Sequence, residues 1–365
     1  MMRILISYHN KQGYENIIQV AKYLKSKSFD VELLDLCTFY IQKSINSDSF
    51  VRTKINLIIK NSSNYRNLSK LKKIIFYFQL IALNSKLLNN YDGYLFSPGG
   101  FIEGQISKIF KKNSKHTFFI EGGLRTIFFV DYPDKAGDKL NNSFLNHVSR
   151  HYVSGVENKN IILNKFPNTP YLSEKIKNFG VPRYENFTRE NIDYEYKDIK
   201  NVLYLTTAAK YHNYIKLQSW HDDEMKILNK TIMNSSYNYR IRVHPRDDLM
   251  NYAEFSELNI TSSIKNSLKE DVGWSDIVVT IPSSTVFEVN KYGKPYLILW
   301  PFKYNTEVFN PDIKSLKSIE TELNKLNEEK LYEKFEQQKI YSINFLSPES
   351  YKSSELIAED ILSFF

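Results

Sequence analysis

The chain has 365 residues, 42% hydrophobic and 15% aromatic, with a net charge of +8. That length exceeds one ordinary domain, and the apolar content supports two cores, so two domains are expected. The single cysteine, Cys37, excludes an internal disulfide and fits a reducing cytoplasm; without a Cys/His cluster, no structural zinc site is expected. No apolar run approaches the roughly 18 residues of a membrane-spanning helix, and the opening Met-Met-Arg-Ile-Leu-Ile-Ser-Tyr reads as a strand, not a signal peptide. Residues 1–115 carry 18 Lys and Arg against 7 Asp and Glu, and the basic excess peaks between Lys43 and Lys73. An anionic membrane surface or an anionic acceptor suits such an excess, and so does the Lys- and Asn-rich bias of a low-GC genome.

In chain order, residues 3–8 predict a buried strand, His9 to Gly13 a polar loop, and residues 15–27 a helix with Ile17, Ile18, Val20, Ala21 and Leu24 on one side. Val31 to Leu36 is the next strand, which makes a β-α-β start and implies a parallel sheet. Residues 50–90 read as basic amphipathic helices, clearest over Leu71 to Leu88. Tyr94 to Phe96 is a strand ending at Pro98-Gly99-Gly100. Thr117 to Ile120 is the last visible strand of this half and ends at Glu121-Gly122-Gly123. Gly180-Val181-Pro182-Arg183 opens a polar stretch that runs to Lys200. A second α/β pattern follows: strand Asn201 to Leu205, helix His221 to Met233, strands Tyr239 to Val243 and Ile277 to Thr280, and strand Pro295 to Trp300. The final 40 or so residues look helical. The expected organisation is α/β: an N-terminal Rossmann-like domain over 1–185, a second over 186–345, and a C-terminal helix over 346–365 packing back on the first. Strand-end loops of both domains would face a central cleft. This pattern resembles the glycosyltransferase GT-B architecture, and the resemblance implies a nucleotide donor in the second domain and an acceptor at the first.

Three patches carry chemistry. The first is Tyr239 to Arg246, a strand emptying into His244-Pro245. Proline biases His244 to an extended backbone at the strand end, and Arg242 and Arg246 flank it as phosphate contacts. In the second, Pro282-Ser283-Ser284-Thr285, hydroxyls sit at a helix start, where free N–H groups and the dipole attract an anion. Thr285 and Glu288 have capping-box spacing, Gly293 fits the helix C-terminus, and Glu288 is alternatively an acceptor from ribose hydroxyls. Thr206 and Thr207, after strand 201–205, add hydroxyls on the same side. In the third, Glu121 stands at a strand end with Gly122 and Gly123 behind it. It is the best-placed base for an attacking hydroxyl, with Glu103 its rival. His9, Gly99 and Gly100 complete that acceptor side. The absence of Asp-x-Asp argues against a metal-dependent transferase. Absent P-loop, Gly-x-Gly-x-x-Gly and Gly-x-Ser-x-Gly motifs argue against a P-loop ATPase, a simple dehydrogenase and an α/β-hydrolase.

An acid-Gly after an early strand, then His-Pro, then Ser-Ser-Thr resembles the three motifs of bacterial sialyltransferases and polysialyltransferases. The resemblance implies Glu121 as catalytic base, with His244, Ser283 and Ser284 on the CMP phosphate. Ile120 stands where that family carries a first acid. The His-Pro and Ser-Ser elements are also similar to those of Kdo-type capsule transferases and CDP-glycerol or CDP-ribitol phosphotransferases, as is Gly180 to Arg183. The resemblance implies a metal-independent inverting transferase needing no cofactor beyond its donor. It would move an acidic sugar from a CMP-activated donor to a capsule or lipooligosaccharide glycan. It would work in the cytoplasm, at most peripherally at the inner face of the membrane. A CDP-polyol phosphotransferase is the alternative. A basic nucleic-acid-binding protein comes last, because that reading predicts aromatic-plus-basic stripes, whereas the Tyr and Phe fall mainly in the predicted strand and helix cores.

Overall fold

The structure, a computed structural model, describes residues 1–40, 45, 50–55, 70–121, 147–167, 171–185, 194–206, 215–245, 247, 249–255, 258–281, 283–299, 312–347 and 350–365. The chain forms two compact units, Met1–Thr188 with Ile343–Phe365, and Arg189–Ser342.

The first unit runs β1 (Arg3–Tyr8), α1 (Lys11–Ser26), β2 (Asp30–Asp35), β3 (Val51–Thr53), α2 (Lys70–Leu88), β4 (Gly93–Phe96), α3 (Phe101–Lys112), β5 (His116–Ile120), β6 (Arg150–Tyr152), α4 (Val156–Lys165), α5 (Leu172–Lys175) and β7 (Ile176–Lys177). Its strands are all parallel, in the order β3-β2-β1-β4-β5-β6-β7. The β1 residues Ile4, Leu5 and Ile6 are fully buried, as an apolar run covered on both faces of a parallel sheet should be. The helix predicted over 15–27 begins at Lys11, because Asn10 caps it: its Oδ1 accepts from the Gly13 N–H at 2.8 Å. The all-helical reading of 50–90 is corrected at its start, where Val51–Thr53 is an edge strand beside β2. Nor is β5 the last strand, since β6 and β7 extend the sheet beyond it.

Gly13 lies against the loop after β4. A Cβ there would stand 2.1 Å from the Ser97 carbonyl oxygen and 2.5 Å from Pro98 Cδ, so only glycine lets α1 approach. Gly13→Ala is expected to destabilise the protein by at least about 1–3 kcal/mol, the usual cost of overpacking, in urea unfolding. Gly273→Ala is the control: a Cβ meets nothing within 4 Å there. Removing a helical glycine should stabilise by about 0.5–1 kcal/mol.

The second unit runs β8 (Asn201–Leu205), α6 (Ile215–Ile232), β9 (Asn238–Arg242), β10 (Ile260–Thr261), α7 (Leu268–Trp274), β11 (Ile277–Thr280), α8 (Thr285–Lys291), β12 (Tyr296–Ile298), α9 (Ile319–Leu323) and α10 (Glu328–Phe345). The sheet is again wholly parallel, ordered β10-β9-β8-β11-β12. Helix α6 starts six residues before the predicted His221.

Helix α11 (Ser353–Leu362) packs against α1 in the first unit. Asp360 joins Arg150 at 3.1 Å and accepts from the Tyr152 hydroxyl at 2.8 Å. Beyond the helix, Phe364 meets Phe118 edge-on with centroids 5.3 Å apart. Gly180 takes φ 89°, a left-handed conformation suited to glycine, and leads into a 3-10 turn over Pro182–Tyr184 that contacts α1.

Candidate active site

In each sheet the connections run outward in both directions from a central strand, so adjacent crossovers diverge between β1 and β4 and between β8 and β11. Ligands of parallel sheets bind outside the carboxyl ends of strands at such a divergence.

In the second unit, the neighbouring strands β9, β8 and β11 lead to His244, Thr206 and Ser283-Ser284 respectively. Thr206 is buried, and its Oγ1 accepts from the His244 backbone N–H at 3.0 Å, which ties two strand ends together. The Tyr252 hydroxyl lies 3.4 Å from the same oxygen and donates to Asp247 Oδ2 at 2.8 Å. Burial, more than Asp247, pushes the Tyr252 phenol up, so it stays protonated and remains a donor. His244 itself is half-buried, and Pro245 is exposed in the turn closed by the Asp247 N–H on the His244 carbonyl at 2.9 Å.

Ser283, Ser284, Thr285 and Glu288 are all half-buried. The capping box expected between Thr285 and Glu288 is corrected: the helix begins at Thr285 and Ser284 holds the cap position without a side-chain bond. Ser283 does the local capping, its Oγ accepting from the Thr285 N–H at 3.3 Å and lying 3.0 Å from Thr285 Oγ1. At the other end Gly293 takes φ 70°, its N–H meets the Asn290 carbonyl, and the Lys294 N–H meets the Val289 carbonyl, a Schellman close.

Arg242 is the clearest correction. It is buried and paired with Asp271, and its Nη1 also donates to the Asn266 carbonyl at 3.0 Å. Arg240, two residues back on the same strand face, reaches Asp271 at 3.1 Å and lies over the Trp274 ring at 4.0 Å. The arginine selected as a phosphate contact therefore anchors α7 to the sheet. Asp271→Ala should cost about 3–5 kcal/mol, because it strands two guanidinium groups, one of them buried. A urea midpoint close to wild type would reject that role.

In the first unit, His9 follows β1, and Glu103 lies in the first turn of α3, after β4. The two meet across the divergence of the sheet: His9 Nδ1 is 2.5 Å from Glu103 Oε1, with the carboxylate fully buried and the imidazole side chain 13% exposed. Gly99 and Gly100 are buried, and Gly100 is the N-cap of α3. Glu121, after β5, is 2% exposed. Its N–H donates to the Tyr152 carbonyl at 3.0 Å, and its carbonyl accepts from Asn16 Nδ2 at 3.2 Å. Asn16 also donates to Ser97 Oγ at 3.0 Å, so one α1 side chain links the ends of β4 and β5. Sequence reasoning had His9 and Glu103 singly but missed their pairing, since 94 residues separate them. Thr207, Gly122, Gly123 and Arg246 lie outside the described residues.

Known folds give the same architecture. The chain aligns over its whole length with 97% of S. aureus MnaA in a UDP co-structure, at TM-score 0.63 and 14% identity. It covers 88% of the wall teichoic acid polymerase TagF at TM-score 0.55 and 15% identity. The UDP-GlcNAc 2-epimerase from Neisseria meningitidis, bound to UDP-GlcNAc, matches at TM-score 0.58 and 15% identity, with 99% of this chain and all of that one aligned. No family profile and no curated protein sequence matches the chain. At these identities the likeness establishes the fold: two Rossmann-like units of the GT-B type.

Proposed function

We propose that this protein is a GT-B transferase that uses a cytidine-activated donor, most simply a CMP-linked acidic sugar, and delivers it to a surface glycan. The observation that carries the reading is the meeting of His244, Thr206 and Ser283-Ser284 at three adjacent strand ends. Hydroxyls and an imidazole at one sheet edge suit a phosphate that gains charge as its bond to the sugar breaks. Glu121 takes the proton of the attacking hydroxyl, so the new glycosidic bond forms as the nucleotide leaves, and no metal is required. The imidazole–carboxylate pair His9–Glu103 belongs to the same unit as Glu121 and serves the acceptor in this reading.

A second reading, transfer of a polyol phosphate from a CDP-polyol, is favoured by the likeness to TagF, one of whose solved structures was soaked with CDPG. Thermal-shift measurements with CMP, CDP, UDP and GDP test the shared part. A nucleotide at about 100 times its Kd stabilises by about 2.7 kcal/mol. Cytidine nucleotides should do so; a response to UDP alone would overturn the proposal in favour of UDP-sugar chemistry. Turnover of CMP-sialic acid against CDP-glycerol then separates the two readings.

A further inference from the structure

Helix α2 is apolar on both sides. Phe76, Leu80 and Leu88 pack into the core of the first unit. On the opposite side Leu71, Ile74, Ile75 and Phe78 follow the i, i+3, i+4, i+7 spacing of a second stripe. These four are between 42% and 67% exposed. A surface helix ordinarily turns polar residues outward, and a contiguous exposed apolar stripe marks an interaction surface.

The charge of the sequence that carries the stripe selects its occupant. Residues 49–91 contain eight Lys and Arg and no Asp or Glu, and Lys70, Lys72, Lys73 and Lys86 belong to α2 itself. A second copy of the chain would bring like charge against like charge. Nucleic acid would match the charge and could stack on Phe78, but it has no use for the exposed aliphatic side chains Leu71, Ile74 and Ile75. An anionic bilayer matches both, with apolar side chains entering the acyl boundary and lysines meeting the headgroups. We infer that the outer face of α2 docks the protein on an anionic lipid surface. No described helix is long and apolar enough to cross the membrane, so this contact lies in the interface plane. The inference deepens the transferase reading, because a lipid-borne glycan acceptor is held at such a surface.

The test is co-sedimentation of the full chain with phosphatidylcholine vesicles, with and without phosphatidylglycerol. Binding is expected to require phosphatidylglycerol and to weaken, not vanish, as salt screens the lysines. The triple variant Leu71→Gln, Ile74→Gln, Phe78→Gln should lower the vesicle partition coefficient at least about tenfold. These side chains are exposed, so the melting temperature and its response to cytidine nucleotides should be kept. Equal partition of variant and wild type, or no binding at low salt, overturns the inference. So does a dimer in sedimentation velocity that the triple variant abolishes, since a second copy would then occupy the face. Nucleotide response is read separately: its absence in wild type sinks the transferase reading and leaves the vesicle result standing.

Discussion

His244→Ala is expected to lower turnover by on the order of 10²–10⁴, the range for a group that protonates or stabilises a leaving phosphate. Its fold should survive, for a specific reason. The bond that joins the two strand ends runs from the His244 backbone N–H to Thr206 Oγ1, and alanine keeps that N–H. The turn closure onto the His244 carbonyl is likewise a backbone interaction. Loss of activity with an unchanged melting temperature is therefore the expected pair of results. A variant that melts early while its folded fraction keeps normal specific activity would make His244 structural.

Glu121→Gln carries the other large effect. Glutamine preserves the volume of a side chain that is 2% exposed, and it preserves both backbone bonds, to Tyr152 and to Asn16. What it removes is basicity. Transfer should fall by about 10²–10⁴ while donor binding, read by thermal shift, stays near wild type. Near-normal transfer would move the role to Glu103. That carboxylate is fully buried against His9, and Glu103→Gln and His9→Ala would then fall together in rate, as partners in one pair do.

How far these groups were legible follows from how local their causes are. Strands β8 and β11 were read to the residue, because each is a short buried apolar run that opens straight after a charged residue, Lys200 or Asp276. Strands β6 and β7 were missed: Arg-His-Tyr and Ile-Lys are too short and too polar to carry a pattern, and only pairing with β5 and with each other makes them strands. The hydroxyls at 283–285 were found by composition, but which one caps depends on backbone angles that spacing does not encode. Arg242 was misread because the partner that claims it, Asp271, lies 29 residues on, after a helix start of its own. The His9–Glu103 pair is the same lesson at greater range.

The return of the chain to its first unit bears on how the protein is made. Residues 343–365 supply Asp360 to Arg150 and Tyr152, Phe364 to Phe118, and helix α11 to α1. A ribosome must therefore translate all of residues 189–342 before the first unit can close. The usual order, in which the earlier domain folds first, is inverted. The later unit, continuous in sequence, has its whole chain in hand while the earlier one still waits with the α11-facing side of α1 uncovered. A released fragment of residues 1–345 should therefore hold a protease-resistant second unit beside a cleavable first one.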